Sequence, residues 1–255
     1  MCGEGGSQQR SLPADIIADN YRSQPADLRR FRAVFAQTGY LKLPGFLVPE
    51  AFRRVSSEIE RLHSARVRRD FVMPDFNTDR RMSVLSGKEV VRRSEIIADL
   101  YANRELRTWI SSIVGEDIHA VTHEDEFLVV NFLDGKSDTH GWHLDDPRYA
   151  FIVVVDSPAQ HQGGRLEYVP GWKTMSREEG FQPRLDVEAG VEICRKRGRF
   201  YADAFKPGDC YLLDAAEVLH RVSPLAHDAS RKALNLAFDD RRYRVYGHTA
   251  KRLYG

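Results

Sequence analysis

From Ile118 to Asp240 the chain divides into short apolar segments, each bounded by Gly, Pro or Asp, and no other feature constrains the fold as tightly. Runs rich in β-branched and aromatic residues between turn formers read as strands. They are Glu126 to Leu133, Tyr149 to Val155, Arg165 to Val169, Cys210 to Asp214, His220 to Val222 and Lys232 to Phe238. The preceding half has a different rhythm. Apolar residues recur at helical spacing from Ala14 to Gln37, from Pro49 to Arg66, where Phe52, Val55, Ile59 and Leu62 step along one face, and from Ile96 to Ile113. Between the first two helices, Tyr40 to Phe46 alternates and breaks at Pro44-Gly45, a strand entering a turn. Asp70 to Ser86 has no clear period and reads as a loop or irregular strand. Helices followed by many short strands predict an α+β domain built round an antiparallel sandwich or barrel.

One domain of about 200–250 residues commonly holds such a barrel. The organisation expected is a flexible tail over residues 1–13 and a single domain over 14–255. That domain divides into a helical part (14–117), a strand core (118–240) and a basic C-terminal stretch (241–255), for which a packed tail and a lid are both open. Hydrophobic residues at 42% and charged residues at 29% suit a folded globular chain. Lys plus Arg number 38 against 37 Asp plus Glu, so there is no field to recruit nucleic acid or an anionic membrane. Cys2, Cys194 and Cys210 are widely spaced, which argues against a disulfide framework or a Cys-based zinc site, and Cys210 reads as a small buried hydrophobe. The absence of a signal-like or membrane-length apolar run leads to the expectation of a cytoplasmic protein. Its partner is then a small molecule, with a homodimer left open.

The chemistry concentrates in Thr139-His140-Gly141-Trp142-His143-Leu144-Asp145-Asp146. On a strand, His143 and Asp145 leave the same face and can reach one ion. His220, about 75 residues further on, stands in a second apolar strand. Two histidines and one carboxylate form the facial triad of non-haem iron(II) oxygenases, which keeps positions open for an oxoacid and dioxygen. A plain His-Asp hydrogen bond at a strand end is the alternative. Arg231, at the start of the strand running to Phe238, could hold the far carboxylate of 2-oxoglutarate as a bidentate pair.

Together with the turns Gly163-Gly164-Arg165-Leu166-Glu167-Tyr168-Val169-Pro170-Gly171 and Lys206-Pro207-Gly208-Asp209, these residues resemble the 2-oxoglutarate/iron(II) dioxygenase superfamily over Ile118 to Asp240. The resemblance implies a double-stranded β-helix, a jelly-roll or cupin-like barrel with N-terminal flanking helices. It also implies Fe(II), 2-oxoglutarate and O2 as cofactor and co-substrates. The layout His140-Gly141-Trp142-His143 is similar to the small enzymes that hydroxylate or halogenate free amino acids such as lysine. Radical halogenases of that group carry Gly or Ala at the carboxylate ligand, whereas Asp145 stands here, so hydroxylation is expected.

A free amino acid brings a carboxylate, an ammonium and, if basic, a second cation, and none of these can be buried unpaired. Glu126, in an otherwise apolar segment, and Asn235, four residues after Arg231, fall where the resemblance places the side-chain amine. Asp146 is a candidate for the α-ammonium. Arg80, with Arg81 as alternate, and His140 are the carboxylate candidates. Each has a bland alternative: a surface charge for Glu126 and Asp146, an exposed loop pair for Arg80 and Arg81, and a support to the metal ligand for His140. The group places a C-terminal aromatic residue over the substrate; no Trp stands in that region here, and Tyr243 or Tyr246 is expected to substitute. Rival readings are a phytanoyl-type oxygenase of a larger or carrier-bound substrate, a cupin-like metal-binding protein without oxygenase activity, and a zinc hydrolase, which lacks its H-E-x-x-H helix here.

Overall fold

The computed structural model describes residues 11–22, 25–226, 229–247 and 249–254. Residues 1–10 of the expected tail lie outside them. Twelve strands occur among the described residues: β1 (Tyr40–Leu43), β2 (Val67–Met73), β3 (Thr78–Ser86), β4 (His119–Ala120), β5 (Leu128–Leu133), β6 (Thr139–His143), β7 (Tyr149–Asp156), β8 (Leu166–Val169), β9 (Tyr201–Asp203), β10 (Cys210–Asp214), β11 (Leu219–Val222) and β12 (Arg231–Asp239). They pair in the order β1-β10-β7-β12-β5-β3-β6-β11-β8-β9, antiparallel throughout, with β2 beside β3 and β4 beside β12. One layer is β1-β10-β7-β12-β5 and the other β6-β11-β8-β9. Strand β3 joins them, pairing Ser83–Ser86 with β5 and Arg80–Arg81 with β6, so the sheet curls round an interior.

Period-two alternation decides what each face of the first layer meets. Leu128, Val130, Phe132, Phe151, Val153, Cys210, Leu212, Leu234, Leu236 and Phe238 point to the helices and share one core with Phe46, Val55, Ile59, Leu100 and Ile110. Burying each such side chain contributes about 1.5–3 kcal/mol. Their neighbours Val129, Asn131, Ile152, Tyr211, Arg231, Ala233 and Asn235 face inward and line the cavities beside the second layer.

Nine α-helices are described: α1 (Asp19–Arg22), α2 (Pro25–Thr38), α3 (Pro49–Leu62), α4 (Gly87–Val91), α5 (Glu95–Ala102), α6 (Arg104–Val114), α7 (Trp172–Glu179), α8 (Val187–Lys196) and α9 (Thr249–Tyr254). None is long and apolar enough to cross a membrane. The helix expected over Ala14 to Gln37 is divided, and its longer part begins at Pro25, whose missing N–H costs nothing in a first turn. The one expected over Ile96 to Ile113 is also two. Asn103 turns extended and caps α6, its Oδ1 accepting from the Leu106 N–H at 3.0 Å.

The segment from Asp70 to Ser86 is a regular hairpin of β2 and β3 rather than a loop. Its period is hidden because β2 is largely exposed while the second half of β3 is buried on both faces. Asn77 takes the left-handed conformation in the turn, which Asn tolerates. Helices α7 and α8 interrupt the strand-rich region unannounced. They pack Trp172, Met175, Val187 and Val191 against Trp142 and Leu219, on the face of the second layer turned away from the barrel interior.

Candidate metal centre and substrate pocket

His143 ends β6 and His220 is the second residue of β11, and the two are direct register partners. Directly paired residues of an antiparallel ladder project to one side. Their rings lie 4.1 Å apart, inside the barrel. Asp145 is not on the strand with His143, as the H-x-D spacing suggested. It lies just past the strand end, where its N–H donates to the Ala215 carbonyl at 2.9 Å and turns the carboxylate back to the histidines. Asp145 Oδ1 lies 3.3 Å from His143 Nε2 and 3.9 Å from His220 Nε2. One ligand atom from each of the three lies within 4.8 Å of the others.

The tautomers follow from the other ring nitrogens. His143 Nδ1 is 2.7 Å from the Gly141 carbonyl and His220 Nδ1 is 2.9 Å from the Val218 carbonyl. A carbonyl only accepts, so each Nδ1 carries the hydrogen and each Nε2 offers a lone pair. Burial, then the neighbouring His143, pushes His220 down to about 4, which keeps it neutral. Burial also pushes Asp145 up, but the His143 contact and His220 outweigh it and hold the carboxyl below its usual range. Two imine lone pairs and a carboxylate therefore converge on one point, an arrangement that repels itself unless a cation sits between. The donor set fits iron(II).

Gly141 makes the neighbouring register workable. A Cβ there would come within 2.6 Å of the Asp79 carbonyl, so only glycine lets β3 lie this close to β6. That closeness brings Arg80 opposite His140. Arg80 is 1% exposed and held by Thr78 Oγ1 and the Gly141 carbonyl, with its Nε unpartnered. Burial lowers it to about 10, so it stays charged at neutral pH. Arg81, the alternate, projects the other way, to Asp79 and Asp70 on the surface. His140 stacks on His143 at 3.9 Å, and burial among His143 and Arg80 keeps it well below its usual range.

Two cavities meet at the triad and share Asn131, His140, His143, Asp145 and Asn235. The inner one is bounded by His220, Arg231, Tyr211, Ile152 and Leu166. Arg231 is 2% exposed, hydrogen-bonded with Tyr211, and its Nε and Nη2 have no partner. A buried guanidinium with two idle donors suits the distal carboxylate of 2-oxoglutarate.

The outer cavity, about 60 Å³, is lined by Arg80, Glu126, Asn131, Asp146 and Asn235, together with Leu253 and Tyr254 of α9. Glu126 stands in the turn before β5 rather than on the strand, 7% exposed, and its Oε2 has no partner. Burial, then Asp146 and Asp145, pushes it up to about 8. Asn235 Oδ1 is also unpartnered. Asp146 lines the cavity rather than turning away, its Oδ2 accepting the Gly247 N–H at 2.9 Å, and burial raises it.

Among the lining residues that sequence reasoning missed are Asn131, Tyr211 and Tyr254. Asn131 was legible as the one polar residue of β5. Tyr211 sits in an apolar run that gave no sign of facing a ligand. The C-terminal aromatic that lines the outer cavity is Tyr254 and neither of the residues expected: Tyr243 is 84% exposed, and Tyr246 donates to Asp239.

Similar folds occur in solved structures. The non-haem α-ketoglutarate-dependent epimerase SnoN from nogalamycin biosynthesis superposes with TM-score 0.63 at 17% identity, over 85% of this chain and 82% of that one. The carbocyclase SnoK of the same biosynthesis gives 0.63 at 14%, over 91% and 92%. AviO1 from Streptomyces viridochromogenes Tue57 gives 0.63 at 18%, over 88% and 100%. The fold is the double-stranded β-helix of 2-oxoglutarate/iron(II) oxygenases, and the donor set fits Fe(II) with 2-oxoglutarate and O2. No curated protein matches the sequence. Residues 23–252 match the family HalD, Halogenase D, and the chain belongs to that family.

Proposed function

We propose that the protein is an Fe(II)/2-oxoglutarate-dependent hydroxylase of a free basic amino acid, with lysine first and ornithine and arginine behind it. The observation that carries this reading is the convergence of the His143 and His220 lone pairs with the Asp145 carboxylate, beside a buried Arg231 with unpartnered donors. When bound, the metal would supply oxygen activation coupled to decarboxylation of 2-oxoglutarate to succinate. The protein's share is to place the groups. His143, Asp145 and His220 would hold the ion on one face, and Arg231 would fix the far carboxylate of the co-substrate through two parallel N–H bonds.

In the outer cavity, Arg80 is a buried cation suited to a carboxylate. Glu126 and Asn235 offer idle acceptors suited to an ammonium, with Asp146 near the α-amine. His140, stacked on His143, would orient that ligand and lines both cavities. Leu253 and Tyr254 exclude water above the substrate.

The family name points to halogenation, and Asp145 argues against it for this chain. His143, Asp145 and His220 would supply three donors to the ion, and a chelating ketoacid with dioxygen would take the positions left, with none for a halide. SnoN has been crystallised in complex with Fe3+, alpha ketoglutarate and nogalamycin RO. The small cavity, with Leu253 and Tyr254 in its lining, favours a small substrate here. The test is a pooled amino-acid reaction with enzyme, iron(II), ascorbate and 2-oxoglutarate, read by mass spectrometry. A basic amino acid gaining one oxygen supports the reading, and 2-oxoglutarate turnover unaffected by any free amino acid overturns it.

A further inference from the structure

Four tyrosines form an unbroken file from the metal cavity to the surface. Tyr211, 4% exposed, is a wall of the inner cavity alongside His143, Asp145 and His220. Its ring lies 6.1 Å from that of Tyr40. Tyr40 lies 4.4 Å from Tyr168, and Tyr168 stacks on Tyr201 at 5.4 Å with 22° between planes. Tyr40 and Tyr168 are buried, and Tyr201 is 45% exposed on the edge strand β9. The ladder gives the same file a second anchor. His143 pairs with His220, His220 with Tyr168 and Tyr168 with Tyr201, one row across β6, β11, β8 and β9. Residues in direct register project to one side of the sheet, so the row runs from the metal ligands to the sheet's edge.

The phenols are poor choices for core packing alone. A buried phenol needs a partner for its O–H, and phenylalanine would fill the same space without that demand. Tyr40 meets it by donating to Asp203 Oδ2 at 2.6 Å, a carboxylate placed to take the proton if the ring loses an electron. What distinguishes tyrosine from phenylalanine here is ease of oxidation coupled to release of that proton.

We propose that this file is a redox outlet that carries oxidising equivalents from the metal cavity to Tyr201 when the co-substrate is consumed with no substrate in place. The proposal rests on the oxygenase reading above. In each transfer a tyrosine gives up one electron and its phenolic proton, and regains both from the next tyrosine outward. Asp203 can hold the Tyr40 proton between the two transfers, and Tyr201, having passed its electron and proton inward, is left as the neutral radical. A soluble hydrogen-atom donor such as ascorbate or a thiol then restores Tyr201. Two passages balance one abortive turnover: 2-oxoglutarate, dioxygen and two hydrogen atoms from the reductant give succinate, carbon dioxide and water.

The test is freeze-quench paramagnetic resonance of enzyme with iron(II), 2-oxoglutarate and oxygen, without amino acid and without ascorbate, with succinate measured in the same samples. Expected is a tyrosyl radical signal that narrows with ring-deuterated tyrosine, is lost in Tyr201→Phe at its surface-exposed form, and is unchanged in Tyr243→Phe, an exposed tyrosine outside the file. Tyr168→Phe keeps the ring packing and should cut the file, confining the radical to Tyr40 and Tyr211 and increasing oxidative damage there by peptide mapping. Succinate with no tyrosyl radical, or a radical indifferent to both Tyr168→Phe and Tyr201→Phe, overturns the proposal. No succinate at all overturns the oxygenase reading and the outlet with it.

Discussion

Replacing Glu126 with Gln separates a carboxylate kept for a ligand from one kept for structure. Its carboxyl is raised from 4.5 to about 8 by burial first and by Asp146 and Asp145 next, and its Oε2 has no partner. Such a rise corresponds to on the order of 5 kcal/mol disfavouring the ionised form in the folded protein. Between those two values the folded state keeps a proton that the unfolded state releases, so wild-type stability should fall as pH rises from about 4.5 to about 8 and then level off. Glu126→Gln removes that slope and should melt higher than wild type at pH 9. Binding should run the other way. An ammonium beside Glu126 needs the ionised form, so lysine affinity should improve about tenfold per pH unit below pH 8. Glu126→Gln should flatten that dependence and weaken binding at pH 8 by about 10- to 100-fold, the worth of about 1.5–3 kcal/mol for a charge-assisted bond. Calorimetric titration of lysine into anaerobic enzyme with iron(II) and 2-oxoglutarate, beside melting curves at pH 6 and 9, reads both effects. A pH-independent affinity in the wild type, or a variant binding lysine as tightly, would refute the assignment.

Arg231→Lys should raise the KM for 2-oxoglutarate about tenfold or more while leaving iron binding intact, because an ammonium cannot reproduce the two-pronged guanidinium contact; succinate formation against co-substrate concentration checks it. Wild-type enzyme supplied with chloride should yield hydroxylated product only, and Asp145→Gly should lose hydroxylation and bind iron(II) more weakly; product mass spectra and metal titration decide. Leu253 and Tyr254 of α9 line the outer cavity, so a substrate seated there should pack against that helix. Amide exchange over residues 249–254 should therefore slow when lysine joins 2-oxoglutarate on the enzyme, and Tyr254→Ala should raise the substrate KM without altering that for 2-oxoglutarate.

The barrel was legible because its strands are short, apolar and separated by strong turn formers, and β10 begins and ends at the expected residues Cys210 and Asp214. The hairpin β2–β3 was not, since a strand exposed on nearly all of its length beside one buried on both faces has no single period. Helices α7 and α8 were hidden by their position inside a strand-rich stretch. In the site, residue type and two-residue spacing pointed to His143, Asp145 and His220, while the actual cause of their convergence, a β6–β11 register and a turn after His143, is a long-range pairing that local pattern cannot specify. Strand parity separates Arg80 from Arg81, and it became readable only once β3 was seen to pair with β6. Tyr254 was passed over because a residue at the end of a basic tail gives no sign of folding back over the barrel mouth.

The claim on which the rest depends is that one ferrous ion sits between His143, Asp145 and His220 with the ketoacid beside it. Anaerobic titration of iron(II) and then 2-oxoglutarate into the protein tests this directly. The account predicts a weak visible charge-transfer band that saturates at one iron per chain and is absent in His220→Ala. Tight zinc binding with no band from iron(II) and 2-oxoglutarate would contradict it.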